Sequence, residues 1–564
     1  MNRGKEAVWS ASLVAFITLL SHGVFASRLG IYYDAWVSYY LLSRFGLPEL
    51  IELAWGQARP VAAIIMWLHG NSPLVSHLMM FVIYISIGLV LLYLLRRLLP
   101  NYPGVATLIT VLFLVYPAYW IRPTNTATTV DASLLFFLLS LAAMYQAVRV
   151  HGWRRWAWIG VSLVLAPAYF FTYELPFGLE TVRPLLIWAA LAQRAPEHNW
   201  RTRLRQTTLW SLLWVIPAAL LLIYRLYIFT PSGYYASIEY NTLAATDNGD
   251  GFAGLMNRAF IASGDVLLNS WLLHLRTLTS QQGAYAWLVG MVAGALTFGY
   301  AWRFKLQLPP ARVLFVMLGF GLAAMVSGLL PIVIARESIP ITGLDSRWAY
   351  VATVAAAVVV VAFIALVTTL WLKQPGRELA ALVIALLIGA GAMLHTRNSE
   401  AFVHDWEQQR AFWWGLAARI PDFEDDTTLI IDHSYARGQG RILTLYETAI
   451  AGDLFYNNPR LTAVEMQFAA SGETPSFFAG DWRVDWSINL QRAVVVSMDE
   501  SSCIRIIDLR EPLPEGVTVA NVPNGLELLT PDPATRIRDN SDREFPERAM
   551  FLPIPDTSGA DCIP

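Results

Sequence analysis

The sequence predicts a polytopic α-helical membrane protein with a C-terminal extracytoplasmic α/β or α+β domain. Three observations predict this fold class: the composition, a series of long apolar segments, and the placement of the basic residues. The chain is 56% hydrophobic and 15% charged, whereas soluble domains are about 45–50% apolar and about 25% charged. A soluble protein of 564 residues needs more charge to cover its surface, so the excess apolar surface must face lipid.

The apolar segments predict about eleven spans, because a helix needs about 20 mostly apolar residues to cross a hydrocarbon core roughly 30 Å thick. Val24-Phe25-Ala26 matches the small-residue cleavage pattern of a signal peptide. The apolar stretch before it is long for such a peptide, which favours a retained span. The predicted spans lie near residues 8–26, 74–95, 105–121, 128–147, 156–172, 175–192, 208–229, 284–302, 312–334, 348–371 and 379–395.

Lysine and arginine predict the orientation of these spans, because cytoplasmic loops carry an excess of both. With the N-terminus in the cytoplasm, every inner loop is basic, whereas the membrane-proximal outer loops have no lysine and only scattered arginines. An odd number of spans then places the C-terminus outside. The inner-loop residues are Arg3, Lys5, Arg96, Arg97, Arg149, Arg154, Arg155, Arg194, Arg201, Arg203, Arg205, Arg303, Lys305, Arg312, Lys373 and Arg377.

The domain organisation follows from these spans. Residues 1–395 form a transmembrane domain, with long outer loops at 27–73 and 230–283, and residues 396–564 form the extracytoplasmic domain. The first loop carries aromatic, amphipathic stretches (IYYDAWVSYYLLSRF, LPELIELAW) that are too polar to span and predict helices along the outer interface. The segment RPVAAIIMWLHG is apolar but too short to span. The C-terminal domain alternates strand-like runs (TTLIIDHS, RAVVVSM, CIRIIDL) with helical stretches.

Several function classes are excluded or left without support. The net charge of −2 gives no basic bias toward nucleic acid. The sequence lacks Cys/His zinc spacings, HExxH and the phosphate-binding GxxxxGK[ST] motif. Cys503 and Cys562 either form a disulfide, which an oxidising exterior permits, or remain two thiols.

Ionisable residues in or beside membrane spans are functional candidates, and the first outer loop offers two. Asp34, in Tyr-Tyr-Asp-Ala-Trp, follows the first span. It is either a general base or a helix N-terminal charge. Arg59-Pro60 opens the short apolar segment. Its guanidinium either grips a phosphate in a bidentate way or snorkels to the headgroups.

Further candidates lie at the outer ends of later spans. Glu174 has no obvious partner, whereas Glu180 and Arg183 share a helix face and are predicted to pair structurally. Arg347, before the tenth span, is either a lipid-phosphate ligand or an interfacial anchor. Asp131, near the outer end of the fourth span, is either a substrate-site carboxylate or a helix-start charge.

The layout resembles the GT-C superfamily of membrane glycosyltransferases. The resemblance rests on YYDAW after the first span, on QARPVAAIIMWLHGNSPLVSHL in the same loop, on LLYLLRRLLP ending a span and on LFLVYPAYW closing the next. It covers residues 8–190 in detail and residues 190–395 in general shape. It implies a sugar donor on a polyprenyl phosphate, Asp34 as the catalytic base and Arg59 as a lipid-phosphate ligand. Many members carry a second acidic residue where this chain has Ala35; no metal ligands are assigned, and a divalent metal is left open.

The function predicted from these features is inverting transfer of a sugar from a polyprenyl-phosphate donor to a glycan, lipid or protein acceptor at the outer face of the plasma membrane. A transporter or flippase for a lipid-linked substrate is one alternative, and a non-catalytic membrane scaffold is another. The candidate charges cluster at the outer face, and no internal repeat is apparent. Both observations favour the enzyme, because transporters tend to carry charges near mid-membrane and internal repeats.

The predicted topology is testable with a C-terminal tag. We expect the tag to be accessible from outside intact cells, because an odd number of spans follows a cytoplasmic N-terminus. Protease protection or impermeant labelling of a tag at Pro564 measures this. A tag that reacts only after the cells are permeabilised would refute the odd span count.

Overall fold

The fold is described here from a computed structural model. It describes residues 3–70, 72–229, 252–273, 283–334, 339–372, 376–432, 445–466, 469, 476–479, 482–498, 504–507 and 536–538. Cys503 and Cys562 lie outside the described residues, and so does the pairing predicted for them. Of the second outer loop predicted at 230–283, residues 252–273 and 283 are described.

Helices dominate the chain from Arg3 to Arg419. Short 3₁₀ helices at Leu175–Val182 and Leu344–Ala349 each lead directly into a longer helix. The α-helices of this part are α1 (Arg3–Ser21), α2 (Ala35–Arg44), α3 (Leu47–Gly56), α4 (Pro60–His69), α5 (Pro73–Leu98), α6 (Pro103–Leu114), α7 (Ala127–Arg149), α8 (Trp153–Phe170), α9 (Arg183–Arg194), α10 (Trp200–Ile223), α11 (Phe252–Gly264), α12 (Ala284–Arg303), α13 (Ala311–Ile334), α14 (Tyr350–Leu372) and α15 (Gly376–Arg419).

The chain is a multi-pass membrane protein, although the number of spans differs from the prediction. Every predicted span contains a helix, and eight helical segments of the described residues are long and apolar enough to cross a membrane. Helix α6 has 12 residues, and Gly104–Leu114 are all buried. The apolar side chains of α6 face protein rather than lipid, and its 12 residues are too few to cross a membrane. Basic residues at the beginnings of α1 and α8 lower the hydropathy of those two helices. The predicted count of about eleven spans is therefore not confirmed.

The first outer loop is helical, as predicted. Helices α2, α3 and α4 each have 10 residues, about 15 Å of rise, which is half of what a span needs. Large apolar side chains remain exposed on α3 and α4, among them Trp55, Ile64, Trp67 and Leu68. Such a surface suits a helix lying at the membrane interface with its apolar side toward lipid.

The C-terminal part contains a mixed sheet, which confirms the predicted strands. The four strands lie in the order β3 (Thr462–Glu465), β2 (Thr428–Asp432), β6 (Ala493–Met498) and β7 (Ile504–Ile507). Strand β2 pairs in parallel with β3 and β6, and β7 is antiparallel to β6. Helix α16 (Leu445–Tyr456) precedes β3. The strands are β1 (Asp422–Phe423), β2 (Thr428–Asp432), β3 (Thr462–Glu465), β4 (Ser476–Ala479), β5 (Trp482–Asp485), β6 (Ala493–Met498), β7 (Ile504–Ile507) and β8 (Ile537–Arg538).

Helix α15 joins the transmembrane and C-terminal parts. It has 44 residues, about 66 Å of helix, and it passes residue 395 without a break. The boundary predicted at residues 395/396 therefore lies inside a continuous helix. Its first half packs in the bundle core through Ile384 and Ile388. Its second half contributes Trp406 and Trp413 to another core, which also contains side chains of α2, α3 and the sheet.

An ion pair also holds the first outer loop to the C-terminal part. Arg44, at the end of α2, donates to the side chains of Asp453 and Asn457 on or beside α16. It also donates to the Asp453 carbonyl oxygen at 3.0 Å. The side chain of Asp453 is fully buried and that of Arg44 is 15% exposed, so this pair is largely shielded from water.

We expect Arg44→Ala to destabilise the protein by about 3 kcal/mol, because it leaves the buried Asp453 carboxylate without its cation. Thermal unfolding of the detergent-purified protein measures this as a lower Tm. Arg28→Ala is the matched control, since the side chains of its pair with Glu407 are 57% and 40% exposed and exposed pairs contribute about 0–1 kcal/mol. Equal Tm values for the two variants would contradict the prediction.

Candidate functional site

Asp34 and Arg347, both predicted from the sequence, form an ion pair. Asp34 directly precedes α2, but its side chain makes no helix-capping hydrogen bond. Instead, Arg347 Nη1 donates to Asp34 Oδ2 at 3.2 Å. Arg347 Nη2 lies 3.5 Å from the carboxylate of Asp345. The guanidinium is thus held between two carboxylates, and Asp34 does more than mark the start of a helix.

Arg59 and Glu174 form a second, bidentate pair. Arg59 Nε and Nη2 donate to the two carboxylate oxygens of Glu174 at 3.0 and 2.7 Å. The guanidinium also lies 3.9 Å from the centre of the Tyr173 ring. The sequence showed no obvious partner for Glu174. That interpretation was wrong, because Arg59 pairs with it. The Val61 amide donates to the Phe171 carbonyl at 3.1 Å, which fixes the start of α4 beside the end of α8.

Tyr173 lies near both arginines. Its ring is in contact with the Arg59 guanidinium, and its hydroxyl is close enough to Arg347 to interact electrostatically. Four predicted residues, Asp34, Arg59, Glu174 and Arg347, therefore lie in one region around Tyr173. They come from the first outer loop, the end of α8 and the 3₁₀ turn before α14.

The backbone is strained immediately before two of these residues. Tyr33 has φ of 52° and Ala58 has φ of 57°, the left-handed region that non-glycine residues rarely adopt. Each such residue costs on the order of 1–3 kcal/mol, and strain of this kind clusters at functional sites. Tyr33 precedes Asp34 and Ala58 precedes Arg59. The strain therefore falls where the chain presents the two first-loop residues.

The four side chains differ in access to solvent. Asp34 is 46% exposed and Glu174 31%, whereas Arg59 and Arg347 are 20% and 16% exposed. Burial raises the pKa of Glu174, but the charge of Arg59 and its hydrogen bonds outweigh burial, and Arg225 adds to their effect, so the pKa lies below its usual range. Glu174 is thus held as a carboxylate, and Asp34 is the most accessible acidic group of the four.

Asp131 lies in a different, buried cluster. Its side chain is fully buried, and Oδ1 accepts from the Tyr119 hydroxyl at 3.3 Å. A substrate could reach Asp131 only after a rearrangement. Its predicted role in substrate binding stays a prediction, and its burial does not favour that role.

The other polar members of this cluster are residues that sequence reasoning missed. Arg122 is 2% exposed, and its Nη1 lies 3.2 Å from His22 Nε2 and 3.0 Å from His395 Nε2. The sequence did contain a signal for this cluster, because His22 lies near the end of the first predicted span and His395 lies at the end of the last one. In contrast, Glu180 and Arg183 pair as predicted, with Tyr169 donating to Glu180 at 2.6 Å.

The described residues contain no group of three His, Cys, Asp or Glu side chains that could hold a metal ion. Arg347 contacts two carboxylates, those of Asp34 and Asp345, so its single positive charge balances only one of their two negative charges. The cationic groups of the two pairs are the guanidinium groups of Arg59 and Arg347.

Comparison with known proteins gives similarity of fold only. No protein-family model and no curated protein matches the sequence. The crystal structure of ArnT from Cupriavidus metallidurans bound to undecaprenyl phosphate is 11% identical, with a TM-score of 0.38 over 86% of this chain and 93% of that one. The archaeal oligosaccharyltransferase AglB from Archaeoglobus fulgidus, in complex with an inhibitory peptide and a dolichol-phosphate, is 14% identical, with a TM-score of 0.35 over 81% of this chain and 64% of that one.

The bidentate pair predicts a pH-dependent stability. The depressed pKa of Glu174 contributes stability that is fully present above its ordinary value near 4.5 and is lost as the pH falls through the folded-state pKa. We expect Glu174→Gln to cost about 1.5 kcal/mol at pH 7 and progressively less below about pH 4.5.

Thermal unfolding of both proteins across pH 3–8 measures the difference. Glu52→Gln, which alters an exposed carboxylate on α3, is the control and should follow wild type at every pH. A constant gap between wild type and Glu174→Gln across the whole range would contradict the assigned charge coupling.

Proposed function

We propose that this chain is an inverting glycosyltransferase that moves a sugar from a polyprenyl-phosphate donor to an extracytoplasmic acceptor. The observation that supports this best is the grouping of two arginine–carboxylate pairs, Asp34–Arg347 and Arg59–Glu174, around Tyr173. The proposal includes a plasma-membrane location, with the N-terminus in the cytoplasm and the C-terminal domain outside.

The arginines supply what a lipid phosphate requires. A guanidinium presents a planar fork of donors that matches phosphate oxygens, and it stays charged when partly desolvated. In the structure Arg59 is engaged by Glu174 and Arg347 by Asp34 and Asp345. An incoming phosphate would compete with these carboxylates for the same donors. The pairs keep the arginines in place before the donor binds.

The proposed reaction is a direct displacement at the sugar carbon. The acceptor hydroxyl oxygen attacks that carbon from the side opposite the phosphate, and its proton passes to the Asp34 carboxylate. The carbon–oxygen bond to the phosphate breaks, and its electron pair leaves with the polyprenyl phosphate. Arg59 and Arg347 stabilise the charge that develops on this leaving group. Because one displacement occurs, the configuration at the sugar carbon inverts.

The surroundings suit a substrate with a polar head and a lipid tail. The site lies at the ends of membrane helices, beside the short helices α2, α3 and α4. Exposed apolar side chains of these helices, such as Trp55 and Trp67, would lie in the interface where the head of a lipid-linked sugar resides.

A transporter for a lipid-linked substrate is the second candidate. The buried cluster of Arg122, His22 and His395 favours it, because ionisable groups buried among membrane helices mark transport pathways. A transporter does not need Asp34 as a base, so mutation of that residue separates the two functions. A scaffold would also tolerate the loss of its charge.

We expect Asp34→Asn to lower transfer by about 10²–10⁴-fold, because it removes a general base while keeping the side-chain size. The measurement is surface-glycan composition, by mass and gel mobility, in cells deleted for the gene and complemented with each variant at equal expression. Glu52→Gln, a change of an exposed carboxylate in the same loop, is expected to restore the glycan as wild type does. Full restoration by Asp34→Asn would exclude the proposed base.

A further inference from the structure

A groove lies at the surface of the bundle, lined by residues of α1, α5 and α12. It has about 1560 Å³ of empty space, part of it open to the surroundings, and runs between α1 and α12 with α5 as its floor. Its walls are apolar, and several of their side chains face outward, including Trp9, Phe16, Leu19 and Leu296. The floor contributes Phe81 and Ile85. We call this the α1–α12 groove.

Two polar residues of the groove, Tyr300 and Arg303, lie at one end, and Ser12 lines it on α1. Tyr300 lines that end, but its hydroxyl already bonds to Ser10 at 2.8 Å and Thr107 at 3.1 Å. Arg303 lies at the same end and is exposed. Its guanidinium lies 5.8 Å from the centre of the Phe304 ring, and within the described part of the chain no carboxylate pairs with it. The groove is therefore an apolar channel with one uncompensated cation at its rim.

The length of the groove corresponds to one leaflet. From Trp9 to Leu19 along α1 is ten residues, about 15 Å of helix and half of a hydrocarbon core roughly 30 Å thick. A helix of another membrane protein would need a groove through the full thickness. An acyl chain of a phospholipid extends through about one leaflet, which matches the length of this groove.

Arg303 and two exposed tryptophans at one end of the groove suit a position at the headgroup layer. Arg303 stands beside Trp302, which is 64% exposed, and across from Trp9, which is 63% exposed. Tryptophan is enriched at the headgroup level, and basic residues near it attract anionic lipids. Helix α1 begins and helix α12 ends on this face, whereas Asp34 follows the other end of α1. The groove is thus separate from the proposed transfer site.

We propose that the α1–α12 groove binds one anionic phospholipid, with its phosphate on Arg303 and an acyl chain along α1 toward Leu19. Gly299 provides the means to test this. Gly299 lines the groove and an added Cβ there meets no atom within 4 Å, so a larger side chain at that position starts in the open space of the groove.

The test is native mass spectrometry of the full-length, detergent-purified protein with added phosphatidylglycerol or phosphatidylcholine. Wild type should retain one phosphatidylglycerol in preference to phosphatidylcholine. Gly299→Leu should lose this lipid. Arg303→Gln should lower the affinity for phosphatidylglycerol about fivefold, the contribution of one basic residue near an anionic membrane surface, and leave phosphatidylcholine unchanged.

Two matched controls accompany these variants. Gly319→Leu adds the same side chain at an exposed position of α13 that is equally open, and Arg312→Gln removes an exposed arginine at the start of α13. Both should bind lipid as wild type does, and all four variants should elute as wild type on size exclusion. Lipid retention by Gly299→Leu, equal losses in the two leucine variants, or no headgroup preference in wild type would each overturn the proposal.

Discussion

The fold depends on one helix that belongs to two hydrophobic cores. Helix α15 leaves the membrane bundle and continues, without a break, into the core that the first outer loop shares with the C-terminal sheet. Its Trp406 packs so closely on the chain at Gly30 that an added Cβ would lie 1.9 Å from an indole carbon. Only glycine permits this approach. Nearby, the Tyr32 hydroxyl donates to the Phe402 carbonyl at 2.7 Å, so α15 fixes the backbone two residues before Asp34.

This arrangement explains how a strained site persists. Left-handed residues before Asp34 and Arg59 each cost on the order of 1–3 kcal/mol, and they survive only where the surrounding structure determines them. The first loop is held on one side by α15 and on the other by the bidentate Arg59–Glu174 pair. The ion pairs hold the arginines in position, and the partial exposure of Asp34 leaves its carboxylate accessible to solvent.

The two polar clusters differ in access. The pairs around Tyr173 retain partial exposure, whereas Arg122 and Asp131 are 2% and 0% exposed. Charges sealed in a low-dielectric interior need partners to avoid a large desolvation cost. Arg122 contacts one carbonyl oxygen, two histidines and two tyrosine rings. A substrate could reach the accessible cluster without a rearrangement, as the proposed function requires. The buried one ties α1, the turn before α7 and α15 together.

The sequence by itself determined the features that depend on local periodicity. These are the membrane class, the helical segments, the short interfacial helices, the strands of the C-terminal sheet and the Glu180–Arg183 pair three residues apart. A span and an i,i+3 pair follow from hydropathy and helix geometry alone. Charge type and position at span ends were also enough to select Asp34, Arg59, Glu174 and Arg347.

Only the tertiary structure decided which of these charges meet. Glu174 and Arg59 are 115 residues apart and Asp34 and Arg347 are 313 apart, so their pairing depends on how distant helices pack. The packing of distant helices also decides that Asp131 is buried and that the apolar side chains of α6 contact protein rather than lipid. Hydropathy is identical for a side chain that faces lipid and one that faces a neighbouring helix, and only packing distinguishes them.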